Sequence, residues 1–274
     1  IKCSNVYVDD TGRELVSPLE YETIGLLGTN CGLENPDDVA RLNETANDLG
    51  VDSIELGATI GVLMEGGEGE FGDISFMQCC LEEIRSGSEL GQLYASGTAR
   101  VGEAFNVARV PVIKKQAISA YDPRIIEVTG ISMMLTAQGA DHTVGNAPSF
   151  KCDDKTIDEL VAESLRMQIS SAVADSFGLC VFGRSVTDDN LKLIADAIND
   201  AFDAGVTPEF IQNIGLETLR LEAAFNKAAG FDEIDDELPS FFCDEPLPPT
   251  GQMARLYSRE VNASMQNLLN AQVS

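Results

Sequence analysis

Two short stretches carry side chains whose types and spacing could do chemistry. Ala46–Ser53 reads ANDLGVDS and Ala172–Val181 reads AVADSFGLCV. Aligned on their glycines, they give Asn47-x-x-Gly50-Val51-Asp52 and Asp175-x-x-Gly178-Leu179-Cys180. Each closes an expected helix, where the last carbonyls lack intrahelical partners. A polar side chain at such a turn can offer acceptors to the N–H groups along one edge of a pterin or a purine, and an ionised carboxylate can accept two at once. Glycine alone accounts for an ordinary helix stop, so the pattern fits two halves of one site and also two unrelated caps. A thiolate at Cys180, beside such a turn, suits iron–sulfur ligation; a small buried hydrophobe is the competing reading.

Proton-transfer candidates are few. His142, the sole histidine, lies in the glycine-flanked loop QGADHTVGN rather than on an apolar helix face, and imidazole is suited to moving protons near neutrality. Glu20 and Glu22, in SPLEYETIGLLG, stand early in an expected helix, where acids complement the dipole; catalysis is the sharper alternative for either. GEGEFG at Gly67–Gly72 matches a dinucleotide-binding pattern in letters only, because a helix precedes it and its two glutamates would repel a pyrophosphate. It is read as a turn. Neither a G-x-x-x-x-G-K-[ST] run nor a C-x-x-C pair occurs in the sequence.

The elements that must position these groups are helical. NPDDVARLNETANDLG is a complete helix, with Asn35 as cap, Pro36 in the first turn, Val39, Leu42, Ala46 and Leu49 as its apolar stripe, and Gly50 as its stop. Similar patterns predict helices near 18–28, 53–65, 75–86, 88–106, 156–174, 187–204, 207–229 and 253–270. NVYVDDTGRELV predicts a short hairpin. The period fades between about 109 and 150, the longest irregular stretch, and such stretches are often functional. The expected fold is mainly α: two packed helical domains, 1–110 and 111–274, with a small β-hairpin near the N-terminus.

Composition narrows the function classes. The 274 residues are 44% hydrophobic, enough for a large core. Acids outnumber bases 45 to 18, a net charge of -27, and Trp is absent. Nucleic acid would be repelled and would find few stacking surfaces. No apolar run reaches the roughly 18–20 residues that span a membrane. Seven irregularly spaced cysteines suggest a reducing cytoplasm rather than a secreted disulfide scaffold. IKCSNVYVDD is no signal peptide and reads as the interior of a longer chain.

Ordered landmarks along almost the whole chain, namely IKC, EYETIGLLGTNCG, NDLGVDS, AYDPR, GADH, DSFGLCVF and FNKAAGFDEIDDELP followed by EPLPP, resemble the second and third domains of the tungsten-containing aldehyde ferredoxin oxidoreductase family. The resemblance implies a tungsten (or molybdenum) ion held by two pterins beside an Fe4S4 cluster. It implies that Asn47 and Asp175 contact the pterins, with Asp52 and Leu179 completing the two motifs. Asn47 replaces the usual Asp, so that contact would be neutral, and Val51 replaces the usual Leu. Cys180 and Cys3 would be cluster ligands, and the first two cysteines of C-x-x-C-x-x-x-C would precede Ile1. Glu22 and His142 align with the acid and histidine beside the tungsten, where Glu22 would act on water and His142 would polarise the carbonyl oxygen or shuttle a proton.

Some family members hold an interfacial iron through Glu-x-x-His, but those positions here are Arg41 and Glu44. No such iron is expected, and a homodimer is possible without it. In AYDPR the usual following glycine is Ile125, and the family's Tyr-Tyr and Arg-Gly-Trp ending is absent. The implied partners are a small aldehyde and ferredoxin, for which Lys114 and Lys115 are the candidate basic patch. Three other readings stay open: the same cofactor acting on an aromatic acyl thioester, a non-catalytic helical scaffold, and a plain electron-transfer subunit.

Overall fold

A computed structural model of the chain describes residues 5–188 and 190–271. The chain divides into two compact units, Ile1–Ala120 and Tyr121–Ser274. The fold is mainly α, as the helical periodicity predicts. Among the described residues, no helix is long and apolar enough to cross a membrane.

The first unit opens with the expected hairpin, β1 (Tyr7–Val8) against antiparallel β2 (Glu14–Val16). Asp9 closes it by accepting from the Thr11 and Arg13 amides and the Thr11 hydroxyl. The helix expected near 18–28 is instead composite. A single turn, α1 (Tyr21–Thr23), runs into a π-helical turn over Ile24–Gly28 and a 3-10 turn over Thr29–Cys31. Such wide turns are rare and concentrate at functional sites.

Next come α2 (Pro36–Leu49), α3 (Ser53–Glu65) and α4 (Ile74–Ser86), capped by Asn35, Asp52 and Asp73, whose side chains accept from the first free amides. The helix expected over 88–106 is broken into α5 (Glu89–Tyr94) and α6 (Thr98–Ala104), because Gly97 takes a φ of 96°. Their inward faces form one core, with Leu27, Ile60, Leu63, Met77, Leu81 and Val101 at its centre. A second hairpin, β3 (Val112–Ile113) with β4 (Gln116–Ala117), turns on Lys114 and Lys115, both at positive φ. Its sequence has no glycine or asparagine at the turn, so nothing announced it. This hairpin and the segment after it belong to the first unit because they bond to α3: the Ala117 amide donates to Glu55 Oε2 at 2.9 Å.

The second unit is built around the 20-residue α8 (Ile157–Ser176), which opens with a capping box between Thr156 and Glu159. It packs against α7 (Glu127–Leu135), α11 (Pro208–Ala229) and α13 (Ser258–Ala271). At the α7 contact, Ser132, Ser164 and Gln168 are buried and satisfy one another by hydrogen bonds. The pattern over 187–204 resolves into α9 (Arg184–Thr187) and α10 (Leu191–Phe202). The short α12 (Phe241–Asp244) precedes α13 and sets Phe242 under Arg124. Buried Glu127 is bridged by Arg255.

Candidate functional site

The two matched stretches share one backbone hydrogen-bond pattern. At the end of α2, Gly50 stands at φ 70°, its amide donates to Asn47 O at 3.1 Å, and the Val51 amide reaches back to Ala46 O at 3.1 Å. At the end of α8, Gly178 stands at φ 64°, its amide donates to Asp175 O at 3.1 Å, and the Leu179 amide reaches Ala174 O at 2.8 Å. This pair of bonds, 5→2 and 6→1, is the Schellman ending, and it requires a left-handed residue that glycine adopts without strain. Its customary apolar contact is present as well: Val51 packs on the core of the first unit, and Leu179 on a cluster of Val173, Ile194, Ala195 and Ile211.

Glycine and the following apolar residue are therefore accounted for by the turn alone. The polar residue three positions before each glycine is not. Asn47 and Asp175 are exposed, and no hydrogen bond among the described residues engages either side chain. Asp175 also works against its own helix. A carboxylate in the last turn faces the negative end of the dipole, at a cost of about 0.3–1 kcal/mol, and no basic residue in that turn offsets it. Glu222 on α11 feels the same charge: burial first, and then Asp175, push its carboxyl above its usual value. Both side chains thus have the donor or acceptor capacity that a planar ligand edge requires, and at Asp175 the local cost has no structural return.

The last motif position differs between the copies. Asp52 Oδ1 accepts the Ile54 and Glu55 amides at 2.7 and 2.9 Å and so starts α3. Cys180 is exposed and reduced, and its carbonyl accepts the Gly183 amide, which begins the 3-10 turn Val181–Gly183. An exposed thiol free of internal bonding fits the chemistry of a thiolate metal ligand. Cys3 lies outside the described residues. Among the described residues no group of three or more His, Cys, Asp or Glu side chains is arranged to hold a metal.

Glu22, in the first unit, is buried. The single turn α1 sets Tyr21 and Glu22 around one residue: the Ala120 amide donates to Glu22 Oε2 at 2.8 Å, and the Tyr21 hydroxyl donates to Ala120 O at 3.2 Å. The chain can approach so closely only because residue 25 is glycine, since a Cβ there would stand 2.6 Å from that of Ala120. The wide turn after Glu22 is held from behind. Gly57 of α3 lies flat against Leu26 and Leu27, and Cys31 Sγ donates to Leu26 O and Gly57 O, both at 3.4 Å. Burial pushes the Cys31 thiol up to about 12, so it stays protonated and keeps donating. Glu20 is exposed and precedes the turn.

His142, in the second unit, is largely enclosed, with 16% of its side chain exposed. Its ring lies 5.0 Å from that of Tyr121, and Nδ1 is 4.0 Å from Asp141 Oδ1, longer than a hydrogen bond. Asp141 instead accepts from the Thr143 amide and hydroxyl, which ties the loop down. Arg41 and Glu44, at the positions of the Glu-x-x-His pair, are in surface ion pairs with Asp38 and Arg13 respectively.

Sequence reasoning missed Tyr21, Tyr121, Cys31 and Glu55. Tyr21 could have been found from its place beside Glu22 in EYET. Glu55 gave no signal, because an acid in the first turn of a helix is already explained by the dipole.

Comparison with known proteins agrees with these landmarks. The family profile described as "Aldehyde ferredoxin oxidoreductase, domains 2 & 3" matches residues 1–271. The tungsten-containing aldehyde ferredoxin oxidoreductase of Pyrococcus horikoshii is 30% identical over 259 residues, covering 84% of this chain and 42% of that protein. Its namesake from Pyrococcus furiosus is 28% identical over 273 residues, covering 90% of this chain and 44% of that protein. The aliphatic sulfonate oxidoreductase, WOR-like subunit, of Pyrococcus furiosus is 26% identical over 269 residues, covering 88% of this chain and 40% of that protein. The chain therefore spans less than half the length of these relatives, and it belongs to the aldehyde ferredoxin oxidoreductase family, in the region of domains 2 and 3.

Proposed function

We propose that this chain is the cofactor-clasping part of a cytoplasmic tungsten-bispterin oxidoreductase that converts aldehydes to carboxylic acids and delivers the electrons to ferredoxin. The observation that carries this reading is the pair of helix endings with the same hydrogen-bond pattern, each presenting an exposed polar side chain that its own fold does not use. Asn47 and Asp175 would each hold one pterin edge, Asp175 as an acceptor of two N–H groups and Asn47 as a neutral partner. Cys180, with Cys3 and two further thiolates, would hold an Fe4S4 cluster. When bound, the tungsten centre accepts an electron pair and the cluster passes the electrons on singly.

The remaining chemistry falls to the chain's own residues. Oxidising an aldehyde to an acid adds one oxygen from water and releases two electrons and protons. Glu22, fixed through Oε2 by the Ala120 amide, would take a proton from the attacking water. His142 would donate to the carbonyl oxygen or relay the proton outward. A non-catalytic scaffold is not favoured, because Glu22, His142, Asp175 and Cys180 are all retained.

The test is metal analysis of the full-length protein purified anaerobically, with turnover of a simple aldehyde. About one tungsten and about four irons per chain are expected. Glu22→Gln and His142→Asn should each lower turnover by roughly 10²–10⁴ with metal content intact. Absence of both metals, or near-normal rates in loaded variants, would overturn the proposal.

A further inference from the structure

We propose that Glu55 is a positioning residue for Glu22, acting through the backbone of residues 117–120; this rests on the reading of Glu22 as the proton acceptor. Glu55 sits in the first turn of α3 and spends its whole carboxylate on backbone amides. Oε1 accepts from Thr98 at 2.7 Å, and Oε2 accepts from Ala117 at 2.9 Å. Its carbonyl accepts from the Thr98 hydroxyl at 3.2 Å. Room for the side chain comes from Gly97, where a Cβ would stand 3.0 Å from Oε1. Charge-assisted bonds of this kind are the strong ones.

From that anchor the chain is constrained. Ala117 is buried, and the Ile118 amide donates to Pro111 O at 2.8 Å. Three residues beyond the anchor, the Ala120 amide donates to Glu22 Oε2 at 2.8 Å. Two residues beyond Glu55 on the same helix, Gly57 supports the wide turn that follows Glu22. One helix therefore fixes both the turn beside the acid and the amide that orients it. Thr98 and Ala117 both find the acceptor for their amide on Glu55, so the one carboxylate ties the start of α6 and the end of the second hairpin to α3.

The experiment uses the full-length, metal-loaded enzyme with acetaldehyde as substrate and a viologen dye as acceptor. Glu55→Ala releases both amides. It should lower kcat about tenfold with KM within about twofold, and raise amide exchange across residues 117–120 about tenfold, with tungsten content unchanged. In the Glu22→Gln background the same substitution should lower kcat no further, since the group it positions is already gone. Should Glu55→Ala not fold, Glu55→Gln serves in its place: an amide has one acceptor and must turn its NH2 toward one of the two N–H groups. An equal loss in both backgrounds, or faster exchange with unchanged kcat, would sink the inference while leaving the role of Glu22 intact. Full turnover by Glu22→Gln alone would remove that role, and the positioning claim with it.

Discussion

Two glycines one turn apart on α3 should respond oppositely to the same substitution. Both Gly57 and Gly61 are interior to the helix, where replacing Gly by Ala ordinarily stabilises by about 1 kcal/mol. At Gly57, an added Cβ would meet Leu26 C at 2.4 Å, Leu27 N at 2.5 Å and Leu26 O at 2.6 Å. All three are backbone atoms of the wide turn, so no side chain can swing aside. Relief to ordinary contact requires α3 to withdraw by about 1 Å, and overpacking of this kind costs about 1–3 kcal/mol. Withdrawal also stretches the 3.4 Å thiol contacts of Cys31. Set against the propensity gain, the net is a destabilisation of up to about 2 kcal/mol. At Gly61, the only atom closer than 3.7 Å is the Asn30 amide nitrogen at 2.6 Å, the far end of an exposed side chain that can rotate. The propensity gain should survive there. Urea denaturation followed by circular dichroism reads both, with a lowered midpoint for Gly57→Ala and an unchanged or raised one for Gly61→Ala. A stabilised Gly57→Ala would refute the close-approach account of how the turn is held.

Three further outcomes are expected. Replacing Lys114-Lys115 by Asn-Gly relieves two left-handed residues and should raise stability by about 1 kcal/mol in the same denaturation assay, provided the hairpin turn is built as described. Because burial holds the Cys31 and Cys80 thiols up at about 12, a thiol reagent at pH 8 should label exposed Cys79 quickly and these two only as fast as the chain opens. Their contribution to stability is present below the ordinary thiol value of 9.0 and is lost as pH rises toward 12. Asp175→Asn removes a carboxylate from a helix C-terminus and should stabilise the cofactor-free chain by about 0.3–1 kcal/mol. It should also lower the raised Glu222 pKa, which NMR titration would show. Since a raised carboxyl favours the folded state below its usual value of 4.5 and loses that advantage as pH rises through its folded value, the variant should lose less stability over that window.

The long elements were readable because each carries its boundary in its letters. Asn35-Pro36 with Gly50 is a complete pair of start and stop signals, Thr156 with Glu159 is a start signal, and both helices begin where these residues place them. The motif pairing was readable for the same reason: a left-handed glycine followed by an apolar residue dictates one backbone ending. What stayed hidden depended on partners distant in sequence. The composite turn after Glu22 exists because Gly25 meets Ala120 and Gly57 meets the backbone of Leu26 and Leu27, and periodicity cannot register a contact across 95 positions. The break at Gly97 is hidden in the sequence because a single glycine in an amphipathic run is often tolerated. Likewise the work of Glu55 is invisible to a reading that already assigns it a local reason.

The wide turn at Ile24–Gly28 makes that stretch more sensitive to changes of length than of letter. Each helical residue advances the chain by about 100°, and a π turn carries one residue more than a regular one across the same gap. Deleting any one of the five would let the coil relax to its ordinary pitch while α3 still gripped the downstream end. Glu22 would then swing by about a quarter circle out of reach of the Ala120 amide, with every neighbouring side chain unaltered. A conservative-looking gap in an alignment of relatives at this point would therefore mark a different disposition of the acid.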